Sequence, residues 1–301
     1  MLSILIPVHN VDVRHLVLDL LQQCRQLGIV FEILLEEDGS QQSFVTLNKE
    51  LEAEEEVSLI VNPIALGRSK ARNKLAELAR FQNLLFMDCD AQVKHPDYIS
   101  QYWQCLRNHE DSTAPFVVLG GLSYREECPD KNHRLRWKYG IRREVRSAAQ
   151  RNLNPYAFFT PFNMLLSKSV FDFCRFNESL ITYGFEDTLF GEKLQMYGIK
   201  VAHVDNELYH DGIDENLVFL EKVEQSVDNL VKLYHEHKLP CSFVNNSKLL
   251  TTYFRCKKFH SLGCIVALLN ASEKMLRKKV LQHSSLVALD ALKLKWLCEK
   301  L

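Results

Sequence analysis

Residues 83–93 read NLLFMDCDAQV, an apolar run that breaks into two aspartates one residue apart. A short apolar run bounded by polar residues reads as a buried β-strand, so 83–88 is a strand with Asp88 and Asp90 at its end. Side chains at i and i+2 of an extended chain point the same way, so both carboxylates can address one point. A chain of this length shows roughly one Asp-x-Asp by chance. Its weight therefore depends on what surrounds it.

Upstream, LSILIPV (2–8) reads as an apolar strand and 12–27 as a helix ending near Gly28. IVFEILLEE (29–37) is a second strand, followed by the turn DGS and a charged helix to about residue 55. VSLIV (57–61) is a third strand, and Gly67 to Arg80 has a helical pattern. Strands alternating with helices imply βαβ units around a mostly parallel sheet, an α/β fold. Ligands of such sheets collect outside the carboxyl ends of the strands. Those ends carry Pro7, His9 and Asn10; Glu36, Glu37, Asp38, Gly39 and Ser40; Asn62; and Asp88-Cys89-Asp90. Polar groups thus gather along one edge.

Further on come FVVLGGLSY (116–124), a basic segment (125–151) and an aromatic stretch, NPYAFFTPFNMLL (154–166). FNESLITYGFEDTLFGEKLQMYGIKVAHV (176–204) runs from loop to helix to strand. Residues 214–237 read as one amphipathic helix, with two or three more beyond Pro240. No repeat or low-complexity segment is visible.

A hydrophobic share of 47% and a charged share of 25% over 301 residues are those of a soluble globular protein. No stretch approaches the ~18 apolar residues of a membrane span. The apolar start lacks a basic flank and breaks at Pro7, unlike a signal peptide. Nine cysteines, an odd number with no Cys-x-x-Cys, point to reduced thiols and a cytoplasmic location, and no zinc pattern is present. A nicotinamide dehydrogenase is disfavoured because no G-x-G-x-x-G occurs. Residues 238–301 carry 12 Lys/Arg against 3 Asp/Glu, leaving 25 against 35 in 1–237. Two regions are expected from that step, 1–237 and a basic helical extension, 238–301.

LSILIPVHN, EDGS, NPIALGRSKARN, FMDCDAQV, FNESLITYGFEDTLFGEKL and LYHDG occur in that order across residues 2–212. Together they resemble the family 2 glycosyltransferases, whose nucleotide-binding core is the GT-A fold. The sequence departs from the family pattern at His9, where Tyr is usual, and at Glu37, where an Asp is usual. The last sixty residues match no motif. The resemblance implies an inverting hexosyl- or N-acetylhexosaminyl-transferase of polysaccharide biosynthesis, with a donor half at about 1–122 and an acceptor half at about 123–237. It would move sugar from a UDP-sugar to a glycan or lipid-linked saccharide.

By the same resemblance a divalent cation, Mn²⁺ or Mg²⁺, would be held by Asp90, Asp88 and His210. Such a cation prefers oxygen ligands and stabilises a departing diphosphate. Donor contacts would come from Pro7, His9, Asn10, Glu37, Asp38, Asn62 and Asp88. Arg72, or else Arg68, would lie near the diphosphate; the two are one helical turn apart. Direct displacement needs a base for the acceptor hydroxyl. Asp187 is expected in that role, with Glu186 positioning the acceptor, although both also suit the cap of a helix. Phe162, Asn163 and Trp137 would lie on the acceptor side.

The alternatives are a sugar nucleotidyltransferase, against which the glycine-free PVHNVDV loop speaks, and a non-catalytic nucleotide-sugar-binding protein. Nucleic acid is not expected as a partner, since no recognised module is visible. For 259–301 two readings stand: helices packed on the catalytic domain with solvated lysines, or peripheral attachment to an anionic membrane.

Overall fold

The computed structural model describes residues 1–109, 114–180, 184–236, 239, 243–244 and 247–301. Residues 181–183 of the FNESLITYGFEDTLFGEKL stretch, the boundary expected at 237–238, Pro240 and Cys241 lie outside the described residues. The other eight cysteines are free thiols.

The chain divides into two units. The first comprises Met1–Arg125, Val145–Ile181 and Glu186–Gly212. Its strands are β1 (Leu2–Val8), β2 (Phe31–Asp38), β3 (Val57–Asn62), β4 (Asn83–Met87), β5 (Ala91–Val93), β6 (Phe116–Leu119), β7 (Leu122–Ser123), β8 (Asn163–Ser167), β9 (Lys200–His203) and β10 (Leu208–His210). Seven form a sheet in the order β3-β2-β1-β4-β8-β6-β9. The first four strands pair in parallel as expected. β8 lies antiparallel between β4 and β6, inside what the sequence presents as an aromatic stretch.

Alternation along the central strands covers both faces of the sheet. Ile4, Ile6, Ile33, Leu35, Leu85 and Met87 enter one apolar cluster; Leu5, Leu34, Leu84 and Phe86 enter another. Helix α1 (Arg14–Leu27) closes the first cluster with Leu16, Val17, Leu20, Leu21 and Cys24. It stops at Gly28, whose φ of 65° is left-handed and suits glycine. Helices α2 (Gln42–Lys49) and α3 (Arg68–Leu78) complete the expected alternation, and α4 (Tyr98–Arg107) adds a helix that the sequence pattern did not announce.

β1 starts the chain, with β2 and β3 to one side and β4 to the other. The strand order reverses there, and the carboxyl end of such a switch point is where α/β sheets hold ligands. The β1–β4 ladder spans Ser3–Leu5, so Pro7, which has no amide proton, falls beyond it. A second sheet, β5-β10-β7, sits in the same unit.

The second unit comprises Glu126–Glu144, Thr182–Phe185 and Ile213–Leu301. It contains α5 (Arg134–Tyr139) with a π-helical turn at Gly140–Glu144. After the short α6 (Ala148–Asn152), α7 (Val170–Phe173) and α8 (Glu186–Met196) of the first unit, it resumes with α9 (Asn216–His235). Its last helices are α10 (Lys248–Lys258), α11 (Leu262–His283) and α12 (Leu286–Lys300). Leu220, Val227 and Leu230 of α9 share a core with Leu289, Leu292, Trp296 and Leu297 of α12. Among the described residues, no helix is long and apolar enough to cross a membrane.

Candidate active site

At the end of β1, His9 and Asn10 hold two loops together. His9 Nδ1 lies 2.8 Å from the Asp38 carbonyl, which can only accept, so that nitrogen carries the proton. Asn10, at φ 55°, takes Ser40 Oγ on its amide at 3.0 Å, and its Oδ1 accepts from the Gln41 amide at 2.8 Å. Both residues lie at the expected strand end.

The acids of β2 alternate across the sheet. Glu37 is wholly buried, and its Oε1 accepts from Asn48 Nδ2 at 2.6 Å while Oε2 has no partner. Asp38 accepts from the Leu66 and Gly67 amides at 2.5 and 2.9 Å, fixing the turn that starts α3. Asn62 is held by two side chains. Its amide donates to buried Glu36, and its Oδ1 accepts from Lys74 Nζ at 2.6 Å.

Arg72 is the hub. Its side chain is 3% exposed and donates to Asp88 Oδ1 at 2.6 Å. Nη1 of the same guanidinium lies 3.9 Å from Glu186 Oε1, and Arg68 Nη1 lies 3.8 Å from it. One cation thus joins the end of β4 to the head of α8. Burial, the largest influence on Asp88, pushes its carboxyl up, but Arg72, Arg68 and His210 outweigh it and hold the group below its ordinary value. Glu186 Oε2 is buried without a partner.

The small sheet explains how His210 reaches the aspartates. β10 pairs antiparallel to β5 with His210 opposite Ala91, and the Asp211 amide donates to the Asp90 carbonyl at 3.0 Å. His210 Nε2 lies 3.9 Å from Asp90 Oδ2. The imidazole is clamped between two rings, Phe162 at 5.1 Å and Tyr124 at 5.5 Å, with interplanar angles of 9° and 17°. Arg125 secures the same strand through Asp211, at 3.2 and 3.0 Å, and over the Tyr209 ring at 3.9 Å.

Burial and the charge of Asp88 raise the Asp90 carboxyl against the pull of His210. Its Oδ1 is buried without a partner. A Cβ on Gly212 would stand 2.0 Å from Asp90 Oδ2 and 2.7 Å from its Cβ, so a side chain there would have to displace that of Asp90. Among the described residues, no three His, Cys, Asp or Glu side chains cluster tightly enough to hold a metal by themselves. Of the expected trio, Asp88 gives its Oδ1 to Arg72, while Asp90 and His210 lie together. Asp90 and His210 offer an oxygen and a nitrogen, and Asp90 keeps an unsatisfied oxygen, which fits a divalent cation completed by a ligand's own oxygens. Cys89 between the acids is an inert thiol, pushed up to about 12 by burial and then by Asp90.

Asp187 is half-buried and accepts from the Thr188 amide at 2.6 Å. Burial first, and the Glu186 charge second, push its carboxyl up to about 6. Phe185, just before this pair, has a φ of 72°, a strained value for a bulky residue.

Two acceptor-side expectations are revised. Asn163 is 1% exposed and fully engaged: its Oδ1 accepts from Tyr98 and Tyr102 at 2.7 and 2.6 Å, and its amide donates to the Gly121 and Asn206 carbonyls at 2.9 and 2.8 Å. It is a structural hub with nothing left for a ligand. Phe162, 3% exposed, backs His210 and presents no open ring face. Trp137 belongs to the second unit. Tyr124 and Gly212 stand within stretches already quoted, FVVLGGLSY and LYHDG, yet nothing in those letters announces their roles.

Residues 3–174 match the family model of glycosyl transferase family 2. No curated protein matches the chain. Among solved structures, the mannosyltransferase PcManGT from Pyrobaculum calidifontis, in complex with GDP-Man and Mn2+, aligns with a TM-score of 0.62 at 13% identity, over 99% of this chain and 86% of that one. S. aureus TarS 1-349 aligns with a TM-score of 0.53 at 14% identity, over 99% and 90%. Its complex with UDP-GlcNAc gives 0.52 at 13% identity, over the same shares, 99% and 90%. At such identities the likeness establishes the fold, which is of the GT-A type.

Proposed function

The chain belongs to glycosyl transferase family 2 and is a glycosyltransferase, and from that premise we propose an inverting, cation-assisted transfer from a UDP-sugar to a saccharide or lipid-linked saccharide hydroxyl. The observation that carries this reading is Arg72, which ties Asp88 at the carboxyl edge of the sheet to Glu186 at the head of α8. Donor-side and acceptor-side acids are thereby held in one electrostatic unit. Neighbours of the same fold bind UDP-GlcNAc or GDP-Man with Mn2+, which supports a nucleotide-sugar donor.

Asp90 and His210 would hold the cation, which when bound supplies Lewis-acid stabilisation of the departing diphosphate. Arg72 keeps Asp88 ionised for the ribose or a cation-bound water. Arg68 and the Asp38-fixed turn line the diphosphate side, and the ends of β1 and β2 take the uracil. Residues 1–122 would serve the donor and 123–237 the acceptor. Asp187 takes the proton as the acceptor oxygen attacks the anomeric carbon from the face opposite the diphosphate. The carbon–oxygen bond to phosphate breaks, and its electron pair leaves with the nucleotide, inverting the centre. The basic extension 238–301 would touch an anionic membrane surface.

Calorimetric titration with UDP, with and without Mn²⁺, tests the site. Asp90→Ala should remove the Mn²⁺-dependent part of binding and leave the melting curve unchanged. Unaltered Mn²⁺ dependence would overturn the role of Asp90; no UDP binding by the wild type would overturn the donor.

A further inference from the structure

In the second unit, RLRWKYGIR (134–142) runs through α5 into the π-helical turn. Its inward face is accounted for by packing. Leu135 is fully buried, Tyr139 meets Phe219 edge-on at 5.2 Å, and Arg136 lies over Phe219 and pairs with Glu144 at 3.0 Å. The outward stripe is a different surface. Arg134, Trp137, Lys138, Ile141 and Arg142 line a cleft of about 360 Å³. That volume falls within the ~300–1,000 Å³ of small-molecule sites.

The cations of this stripe recur at every fourth position, where like charges repel. Among the described residues no carboxylate pairs with Arg134, Lys138 or Arg142. The acids nearby have other partners: Glu144 pairs with Arg136, Asp290 pairs with Arg143, and Asp130 lies 2.9 Å from His133 Nδ1. Three unneutralised cations around an indole and an isoleucine leave the unit with a repulsion that an anion would relieve. The π-helical turn beneath them is a local distortion of the kind that accompanies functional sites.

We propose that this cleft binds a phosphorylated saccharide, with the phosphate across Arg134, Lys138 and Arg142 and a sugar ring on Trp137. Guanidinium forks match phosphate oxygens in paired hydrogen bonds, and a lysine adds a point charge. The flat apolar face between them suits the C–H face of a sugar. A bare phosphate would leave the indole idle, and a neutral sugar would leave the cations idle. This deepens the reading of a saccharide acceptor and rests on it.

The test is calorimetry on the full chain with a phosphorylated mannose pentasaccharide, its dephosphorylated form, inorganic phosphate, and vesicles of phosphatidylcholine with phosphatidylglycerol. The phosphorylated sugar should bind at least tenfold tighter than the dephosphorylated form or phosphate. Arg134→Ala/Lys138→Ala/Arg142→Ala should abolish that preference, and Trp137→Ala should weaken both saccharides. UDP binding with Mn²⁺ should persist in both variants, which separates this site from the donor site. If the triple variant melts early, Lys138→Gln alone should still lose severalfold. Equal affinity for the two saccharides overturns the proposal. So does a stripe-dependent gain on vesicles without discrimination between the sugars, which would assign the cations to lipid.

Discussion

At Asp187 the burial that suits a base also burdens the native state. Its carboxyl ionises at about 6 in the fold against an ordinary 3.8. The folded form therefore keeps a proton that the unfolded chain has lost, and this stabilisation, full below the ordinary value, disappears as pH rises through about 6. The difference is on the order of 3 kcal/mol. Asp187→Asn should accordingly melt higher than wild type near pH 8, with the gap closing toward pH 4. Transfer by the wild type should fall about tenfold per pH unit below about 6, and Asp187→Asn should lose ~10²–10⁴ in rate with UDP affinity retained. A loss under tenfold would move the base to Glu186. The acids themselves were legible because motif order marks them. Asn163 was misread because its partners are remote: Tyr98 and Tyr102 lie 65 and 61 residues from it. An asparagine that satisfies a core and one that meets a ligand are spelled alike.

Between elements, α3, β4 and α8 share an apolar cluster, and at its polar edge Arg72 of α3 reaches Asp88 beyond β4 and Glu186 of α8. Arg72→Met would take from Asp88 its hydrogen-bond donor and leave Glu186 with Arg68 at 3.8 Å. Urea unfolding should register a loss of about 3 kcal/mol, the low end for a broken buried pair because Asp88 keeps some solvent. A change below about 1 kcal/mol would show the pair to be a surface contact in effect. Gly212→Ala should push Asp90 aside and cut Mn²⁺-dependent UDP affinity tenfold or more at nearly constant melting temperature; unchanged affinity would mean that the Asp90 side chain relocates without loss. The parallel strands were readable from apolar runs. β5, β7 and β10 were not, since two or three residues are too few for a period of two to show. NMLLS was hidden behind the prolines and aromatics that precede it.

For the whole molecule, the charge step near residue 237 carries information about surface and little about packing. The extension holds core residues: Leu289, Leu292 and Leu297 are fully buried and Trp296 is 2% exposed. By contrast α11 buries only Val280 among its residues. Its outer side shows Leu268 at 69% and Met275 at 51% exposure beside exposed Lys274, Lys278 and Lys279. At about 1 kcal/mol per basic residue near an anionic surface, Leu268→Ser with Lys278→Gln and Lys279→Gln should weaken sedimentation with phosphatidylglycerol vesicles at least tenfold. These substitutions spare the core. Absent binding by wild type, or equal binding by the variant, would leave α11 a solvated helix.

The place of β8 also sets an order of events in time. Among the described residues β6 has only β8 and β9 as neighbours, so Phe116–Leu119 emerges from the ribosome before either of these strands. Four apolar residues must wait until Asn163–Ser167 follows. At roughly 5–20 residues per second that delay is about 2–9 s. Throughout it β1 to β4 can already assemble, leaving β4 as an open edge that another nascent chain could capture. Slowing translation between residues 120 and 162 should therefore raise the aggregated fraction of newly made protein, while refolding of the complete chain from denaturant stays indifferent to that interval.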